Sequence, residues 1–401
     1  MTKNLLLRNN LKYACMQGLY WVLACSVIPF SGAFLLGFGY TNAEVGVFLA
    51  IGYIVSLLIQ SVTASLADRN TVMPPAAFLA ILCLIHILLG VGLAVQRERS
   101  FWLPVLFIVF FSLVVNLQPH VNAFAMYIEQ QGTPIRFGLA RGCGSLFWGI
   151  VSPIFGALVE HYGPGIMPCM AIAADGAFLL LLFTLRDCKK QVQLQPQKAA
   201  RNGTSYAFLR QYPTYLVFML SIVLIFYGFS FMDNFPFQIV ANVGGSSIQM
   251  GQLISVVALI ELPAMFSFEW LRKKFGCKKL LICSAFFFAV KNVCMYLSRT
   301  MPGLYFAEMF HIASYSLLIP ASVRYTDEQI DAANATKAQA LLTMMMTVGN
   351  ILSTFSGGWM IDRYTASGML LAGAVSTVLG SAVMIGMLLG KRNKPAQNGA
   401  T

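Results

Sequence analysis

The chain of 401 residues is 58% hydrophobic and only 10% charged, with a mean hydropathy of +0.71 and a net charge of +12. A soluble domain of this size carries about 25% charged residues. This composition excludes a soluble globular protein and indicates a chain for which lipid is one of the solvents.

Apolar windows of about 20 residues, the length that crosses a bilayer, recur along the whole chain. The first window is too long for a cleaved signal peptide. We therefore predict an all-α membrane protein with transmembrane helices over 12–37, 43–67, 73–96, 101–128, 138–160, 165–186, 211–235, 247–270, 279–298, 302–324, 336–361 and 366–390.

The basic residues are distributed unequally between the two sides of the predicted membrane. Most of the 27 Lys and Arg residues fall in loops and tails that share one side with the N-terminus. This positive-inside pattern predicts a multi-pass plasma (inner) membrane protein with both termini in the cytoplasm. The basic excess reflects topology, so no nucleic-acid partner is expected. The other side holds Arg97, Arg99, Arg299 and Arg363.

Patterns of catalytic or metal chemistry are missing from the sequence. The nine cysteines are scattered, without the CxxC or Cys/His spacing of a metal site. A GxxxxGK[ST] loop, which an ATP-driven pump requires, does not occur. We expect no catalytic residue, metal or cofactor, and a protein that is not an enzyme and functions as a monomer in the bilayer.

The one long polar stretch, Asp187–Thr204, separates six predicted spans from six others. Its basic and amide side chains, without apolar periodicity, predict a flexible cytoplasmic linker over 187–209. The linker would join a first bundle, 1–186, to a second bundle, 210–401.

The two halves are similar to each other at an offset of 202 residues. SLFWGIVSPIFGALVEHY, which begins at Ser145, matches TVGNILSTFSGGWMIDRY, which begins at Thr347. LRNNLKY, which opens the first span, likewise matches LRQYPTY, which opens the seventh. The pattern therefore indicates a parallel six-span repeat.

Such repeats are typical of the major facilitator superfamily, and two loops resemble its cytoplasmic signature, G-x-x-x-D-R-x-G-R-K. SLADRN follows span two, with Ala64 at the Gly position, and LRKKFGCKK follows span eight with the Gly and the basic cluster kept. The resemblance implies twelve helices in two six-helix bundles. It also implies a mid-membrane substrate site between the halves and transport by alternating access.

Within this superfamily the chain resembles the oligosaccharide:proton symporters, typified by lactose permease, and the related phenylpropionate-permease-like group. FGLARGCGSLFW is similar to the symporters' span-five motif, in which an Arg holds sugar hydroxyls and a Trp stacks on the sugar ring. Arg141 and Trp148 occupy those positions. The acid that pairs with this Arg in the family is replaced by Asn122.

The resemblance extends to the second half, where two positions carry a different type of residue from the family's. Glu261 matches the family's span-eight acid, Lys291 its span-nine Arg and His311 its span-ten His. The coupling acid three residues after that His is Ser314 here, and the basic residue three before it is Glu308.

Spans seven to ten carry five ionisable residues: Asp233, Glu261, Lys291, Glu308 and His311. A charge at the centre of a transmembrane helix costs about 2.5–3.5 kcal/mol on insertion scales, so each is a candidate functional residue. Three acids face a single lysine, so we expect one acid to hold a proton at neutral pH. That arrangement predicts proton coupling, and the alternative is a static ion pair that locks helices together.

Counting residues from the ends of each span assigns roles to these acids. Glu261 and Lys291 should meet near mid-membrane and pair. Glu308 shares one helical face with His311 and Tyr315 and lacks a fixed basic partner, so it is the expected proton carrier.

Span four, NLQPHVNAF, is too polar to face lipid. Asn116, His120 and Asn122 are candidate substrate ligands together with Arg141, Trp148 and Glu261; hydrogen bonding between helices is the alternative for the span-four residues. Asp175 in span six has no nameable partner, and helix packing is as good an interpretation as any. Gating or loop contacts are expected for Glu160–His161 and for Asp68, Arg69, Asp362 and Arg363.

These patterns predict a proton-coupled secondary active transporter, a symporter that imports a small polar solute by alternating access. Its partners are then a small-molecule substrate and protons, with a sugar or oligosaccharide as the first expectation. The alternative is a proton-driven transporter or exporter of an aromatic acid, nucleoside or amphipathic compound. A receptor built on a transporter fold is also compatible with the sequence.

Overall fold

The computed structural model describes residues 3–69, 73–130, 132–185, 206–331 and 334–390. Regular structure in these ranges is helical, which confirms the all-α prediction. The fourteen α-helices are α1 (Lys3–Val27), α2 (Ser31–Gly37), α3 (Asn42–Arg69), α4 (Pro75–Ala94), α5 (Trp102–Gln130), α6 (Phe137–Tyr162), α7 (Met167–Phe183), α8 (Pro213–Asn234), α9 (Pro236–Asn242), α10 (Ser247–Phe275), α11 (Cys277–Leu297), α12 (Met301–Met309), α13 (Tyr315–Gln329) and α14 (Ala335–Gly390).

Eleven helical segments of the described chain are long and apolar enough to cross a membrane. The last one, Lys337–Gly390, has 54 residues, which is enough for two crossings. Thr365 divides α14 because its φ of 63° is incompatible with a continuing right-handed helix. The resulting arms, 335–364 and 366–390, correspond to the predicted spans eleven and twelve. The described helices thus supply the twelve predicted spans.

The helix ends define two faces of the molecule. We call the side where α1 begins at Lys3 and α14 ends at Gly390 the terminal face. The opposite face is the side where α2 ends at Gly37 and α3 begins at Asn42. The predicted linker, 187–209, lies outside the described residues up to position 205, and its last residues begin the 3₁₀ turn Tyr206–Gln211.

Span ten is interrupted, although the sequence predicts one helix over 302–324. Helix α12 ends at Met309, a 3₁₀ turn covers Phe310–Ile312, and Ser314 is non-helical with φ −93° and ψ −90° before α13 begins. Serine side chains bond to carbonyl groups at the break: Ser316 donates to the His311 carbonyl at 3.2 Å, and Ser284 donates at 2.7 Å to the Ser314 carbonyl, which also accepts from the backbone N–H of Leu318. Broken helices in transporters mark binding sites, because irregular backbone is tolerated there only where protein or a cavity surrounds it.

The two halves cross at glycines near the opposite face. A Cβ atom on Gly156 of α6 would overlap the Ser247 carbonyl of α10, and one on Gly358 of α14 would overlap the Asn42 carbonyl of α3. Gly46 and Gly251 make equivalent backbone approaches from the partner helices, to Thr354 and Ser152 respectively. Only glycine allows the helices to lie this close.

Candidate functional site

A buried charge cluster lies at the break in span ten. Lys291 Nζ of α11 is 2.6 Å from Glu308 Oε2 of α12 and 2.9 Å from His311 Nδ1 in the 3₁₀ turn. The side chains of Lys291 and Glu308 are only 3% and 0% exposed. Charges this deep in a protein persist only when they are paired.

The predicted Lys291–Glu261 pair is therefore wrong: Lys291 pairs with Glu308, the acid that was expected to lack a base. The pairing was predicted from depth along an unbroken helix, whereas α12 ends at Met309 and a 3₁₀ turn follows over Phe310–Ile312. This turn brings both Glu308 and His311 against α11.

The contact with Lys291 also defines the protonation of His311. An ammonium group only donates hydrogen bonds, so Nδ1 of His311 must accept from Lys291. In the neutral ring the proton then resides on Nε2, which lies 3.7 Å from Glu261 Oε2. His311 thus connects the Lys291–Glu308 pair to Glu261.

Glu261 of α10 joins this cluster to the other half of the molecule. Its Oε1 accepts a hydrogen bond from Ser145 Oγ of α6 at 2.5 Å. The Glu261 side chain is 12% exposed, more than Lys291 or Glu308, so it forms the accessible end of the cluster. A change of charge on Glu261 would act directly on a contact between the halves.

Asp233, at the end of α8, is the third acid of this region. Its side chain is exposed and interacts electrostatically with Lys291, Glu308 and Glu261. Tyr315 stacks on His311 with ring centroids 5.2 Å apart and so covers one side of the cluster.

Arg141 of α6 lies over an aromatic surface in the first half. Its guanidinium carbon is 4.2 Å from the centroid of the Trp21 ring, and Trp21 meets Trp148 edge to face at 5.5 Å. Among the described residues Arg141 forms no ion pair with a carboxylate. Arg141 and Trp148 are thus brought together as expected, whereas Trp21 was missed, since nothing in the sequence placed α1 beside α6 at this depth.

Asn122 of α5, which stands where the family has an acid, is held by other polar groups. Its Oδ1 accepts from Gln17 Nε2 at 3.0 Å, and Gln17 also donates to the Tyr13 hydroxyl at 2.8 Å. Gln17 is fully buried. This amide and phenol chain links α1 to α5 and is a second feature that sequence reasoning missed.

The other two span-four candidates contact α3. Thr63 donates to Asn116 Oδ1 at 3.2 Å and lies 2.9 Å from His120 Nε2. Asn116 is fully buried, and its Nδ2 has no hydrogen-bond partner within the described ranges. Asn116 and His120 thus both contact α3 through Thr63, and a substrate contact by either remains a prediction.

Asp175 of α7 has a partner that the sequence did not reveal. His86 Nδ1 of α4 lies 2.5 Å from Asp175 Oδ2, and both side chains are fully buried. The His86 ring also stacks on Phe110 with centroids 3.9 Å apart. This pair joins α4 to α7 within the first half.

Two acids at the opposite face each cap a helix of the other half. Asp362 Oδ2 accepts from the backbone N–H of Ala43 at 2.8 Å, and Glu160 Oε2 accepts from the backbone N–H of Ser247 at 2.8 Å. Glu160 and Asp362 occupy matching positions in the internal repeat, and each accepts a hydrogen bond from the first turn of a helix in the other half. We call these two contacts the outer clasps.

The remaining gating candidates lie at the ends of two helices. Arg363 is exposed beside Asp362 at the opposite face. Asp68 and Arg69 lie at the end of α3, where the side chains are outside the described part of the chain.

Known proteins of similar sequence are transporters. The chain is 24% identical over 365 residues to a maltose permease of Geobacillus stearothermophilus, covering 89% of this chain and 88% of that protein. It is also 24% identical over 345 residues to a probable 3-phenylpropionic acid transporter of Escherichia coli (strain K12), covering 82% and 86% of the two chains.

Solved structures show the same fold. The crystal structure of nucleoside transporter NupG matches with a TM-score of 0.78 at 14% identity, covering 95% of this chain and 99% of that one. Residues 11–372 match the MFS_1 like family. Because this match spans most of the chain, the protein belongs to the MFS_1 like family and is a multi-pass membrane transporter of the major facilitator fold.

Proposed function

We propose that this protein is a proton-coupled symporter that imports a small polar solute by alternating access across the plasma (inner) membrane. The observation that carries this proposal is the buried chain of charges from Glu308 through Lys291 and His311 to Glu261, which ends on Ser145 of the other half. Ion binding in this chain can therefore act on the relation between the halves.

Glu261 is the best candidate for the proton carrier. Lys291 and Glu308 neutralise each other. In the described part of the chain, Glu261 has no lysine or arginine within ion-pair distance. The Nε2 proton of His311 points toward Glu261 and provides a relay. Glu261 also contacts Ser145, so protonation of this acid changes an interaction across the interface.

The structure supports a form that is closed at the opposite face. Hydrogen bonds tie the halves from mid-membrane, at Ser145–Glu261, to the outer clasps at the opposite face. We propose that the terminal face is cytoplasmic, in agreement with the distribution of Lys and Arg, and that the outer clasps close the external gate. Opening to the outside then requires both clasps to break.

Two substrate classes have support. A sugar or oligosaccharide is the expectation from sequence, and one relative is a maltose permease. An aromatic carboxylate is the second candidate. It is favoured by Arg141, which lies on Trp21 without a carboxylate partner in the described residues, and another relative is a probable 3-phenylpropionic acid transporter.

Uptake into vesicles tests the proposal. Radiolabelled maltose, 3-phenylpropionate and a nucleoside should be offered to proteoliposomes with an inward proton gradient, with a sodium gradient, or with neither. At least one solute should accumulate with the proton gradient and lose accumulation when a protonophore is added. Accumulation that follows sodium and ignores the protonophore would contradict proton coupling.

A further inference from the structure

Arg141 is a cation inside the membrane that is held by an aromatic ring and not by an acid. Its guanidinium lies 4.2 Å from the Trp21 centroid, and no carboxylate of the described residues pairs with it. The position that carries an acid in the resembling symporters is Asn122, which hydrogen bonds to Gln17 instead. The guanidinium of Arg141 is therefore held in place without a direct carboxylate partner among the described residues, and Glu261, which interacts with it electrostatically, lies beyond ion-pair distance.

Packing against α6 and two aromatic neighbours holds the Trp21 ring in place beside Arg141. A Cβ atom on Gly144 of α6 would overlap the indole ring, so α6 provides a slot into which Trp21 fits only because residue 144 is glycine. Trp148 and Tyr20 contact the ring edge to face at 5.5 and 5.2 Å. The buried indole nitrogen has no hydrogen-bond partner among the residues that the structure describes, so the ring contributes its face and not its N–H group.

A ring face and a carboxylate hold a guanidinium with different consequences. The ring attracts the cation through its quadrupole and adds no negative charge. A ring also accepts no hydrogen bond in the guanidinium plane, so the N–H groups on the guanidinium edges stay available for a bidentate acceptor. A carboxylate partner would occupy those same edges and cancel the charge.

We propose that Trp21 is a positioning residue that holds Arg141 without a direct carboxylate partner, so that the site selects a solute bringing its own carboxylate. The inference rests on the proposed function, and it assigns the substrate of that same site as an organic monocarboxylate with a flat apolar body. Arg141 receives the carboxylate, and Trp148, beside Trp21, offers the apolar surface for the body.

Direct binding separates this inference from transport. Purified protein in nanodiscs should be titrated with 3-phenylpropionate and with its neutral analogue 3-phenylpropanamide. The carboxylate should bind at least tenfold more tightly. Trp21→Leu should remove at least tenfold of the affinity for the carboxylate and leave the affinity for the amide within about twofold, because only the charged ligand depends on the held guanidinium.

Rescue by a ring provides the second readout. Trp21→Phe keeps an aromatic face and should lose less affinity than Trp21→Leu, with an unchanged melting temperature. If Trp21→Leu does not fold, fluorinated tryptophans at position 21 keep the ring shape while weakening its attraction for cations, and carboxylate affinity should fall with each added fluorine. Trp359→Leu is the matched control, since Trp359 is exposed on α14.

Three results would overturn the inference. Equal losses for carboxylate and amide in Trp21→Leu would make Trp21 an apolar wall. Affinity that does not change along the fluorinated series would exclude the cation–ring interaction. Binding of maltose without binding of either aromatic ligand would overturn the substrate class, and proton-driven maltose uptake would then leave the proposed function intact.

Discussion

The carboxylate of Asp362 in the second half accepts a hydrogen bond from the backbone N–H of Ala43 in the first half, at 2.8 Å. Glu160 makes the matching contact with the N–H of Ser247 in the reverse direction, from the first half to the second. Each acid meets the partially positive first turn of a helix, where a negative charge is stabilised. The fold thus repeats one capping contact between the halves, once in each direction.

Removing both outer clasps should open the opposite face. Loss of an N-terminal cap costs about 1 kcal/mol, and distant sites add, so Glu160→Ala with Asp362→Ala should shift the equilibrium by about 2 kcal/mol, roughly thirtyfold. Spin labels at Arg97 and Arg299, both exposed at the opposite face, should report a longer distance population in the double variant. Glu98→Ala, an exposed acid on the same face, is the control. An unchanged distance distribution would remove the gating role.

The glycine crossings should be equally sensitive. Gly358→Ala places a methyl group onto the Asn42 carbonyl and should open the opposite face or lower stability, because the helices must separate. Gly176→Ala is a matched control, since a Cβ there meets nothing within 4 Å. That control should keep or slightly raise the melting temperature, as alanine is favoured over glycine in helices by about 0.5–1 kcal/mol. Equal effects of the two changes would contradict the close-packing explanation.

The Lys291–Glu308 contact should behave as a mutually dependent pair. Breaking a buried pair by removing one partner costs about 3–5 kcal/mol, because the other charge is left uncompensated. Lys291→Gln and Glu308→Gln should each lower thermal stability, and the double variant should recover most of the loss. Lys291→Gln combined with Glu261→Gln is the control and should show no such recovery. Recovery in the control instead would restore the pairing of Lys291 with Glu261.

Glu261 should control coupling without controlling folding. Glu261→Gln mimics the protonated acid and can still accept from Ser145, so the protein should remain folded and exchange substrate across the membrane. It should fail to accumulate substrate against a gradient. Counterflow and gradient-driven uptake in the same vesicles measure the two activities. Normal accumulation by this variant would assign the proton to another acid, with Asp233 the next to test.

Several residues of the candidate site could be predicted from the sequence, because a residue's own type and its place in a span or repeat identify it. Arg141, Lys291 and Glu308 were identified since a charge in a transmembrane helix must have a purpose or a partner. The matched acids Glu160 and Asp362 were visible because a repeat preserves residue type at a fixed spacing. Neither inference requires knowledge of which helices touch.

The ion-pair partners of these residues were missed or wrongly predicted from the sequence. Lys291 pairs with Glu308 because span ten breaks at Phe310–Ile312, and Asp175 pairs with His86 because α4 packs on α7. A helical period predicts which residues share a face, but the rotation of each helix and its neighbours depend on packing along its whole length.

The sequence by itself determined the twelve spans, the two similar halves and the residue types of the site, because hydropathy, length and repetition act along one chain. Only the tertiary structure decided that Arg141 lies over Trp21 and that Glu261 accepts a hydrogen bond from Ser145. It also decided that Asp362 and Glu160 each accept from the first turn of a helix in the other half. These contacts join helices that are far apart in sequence. Their geometry depends on the close helix crossings at glycines and on the break in span ten. Both depend on how whole helices pack against each other, which the residues of one helix do not determine.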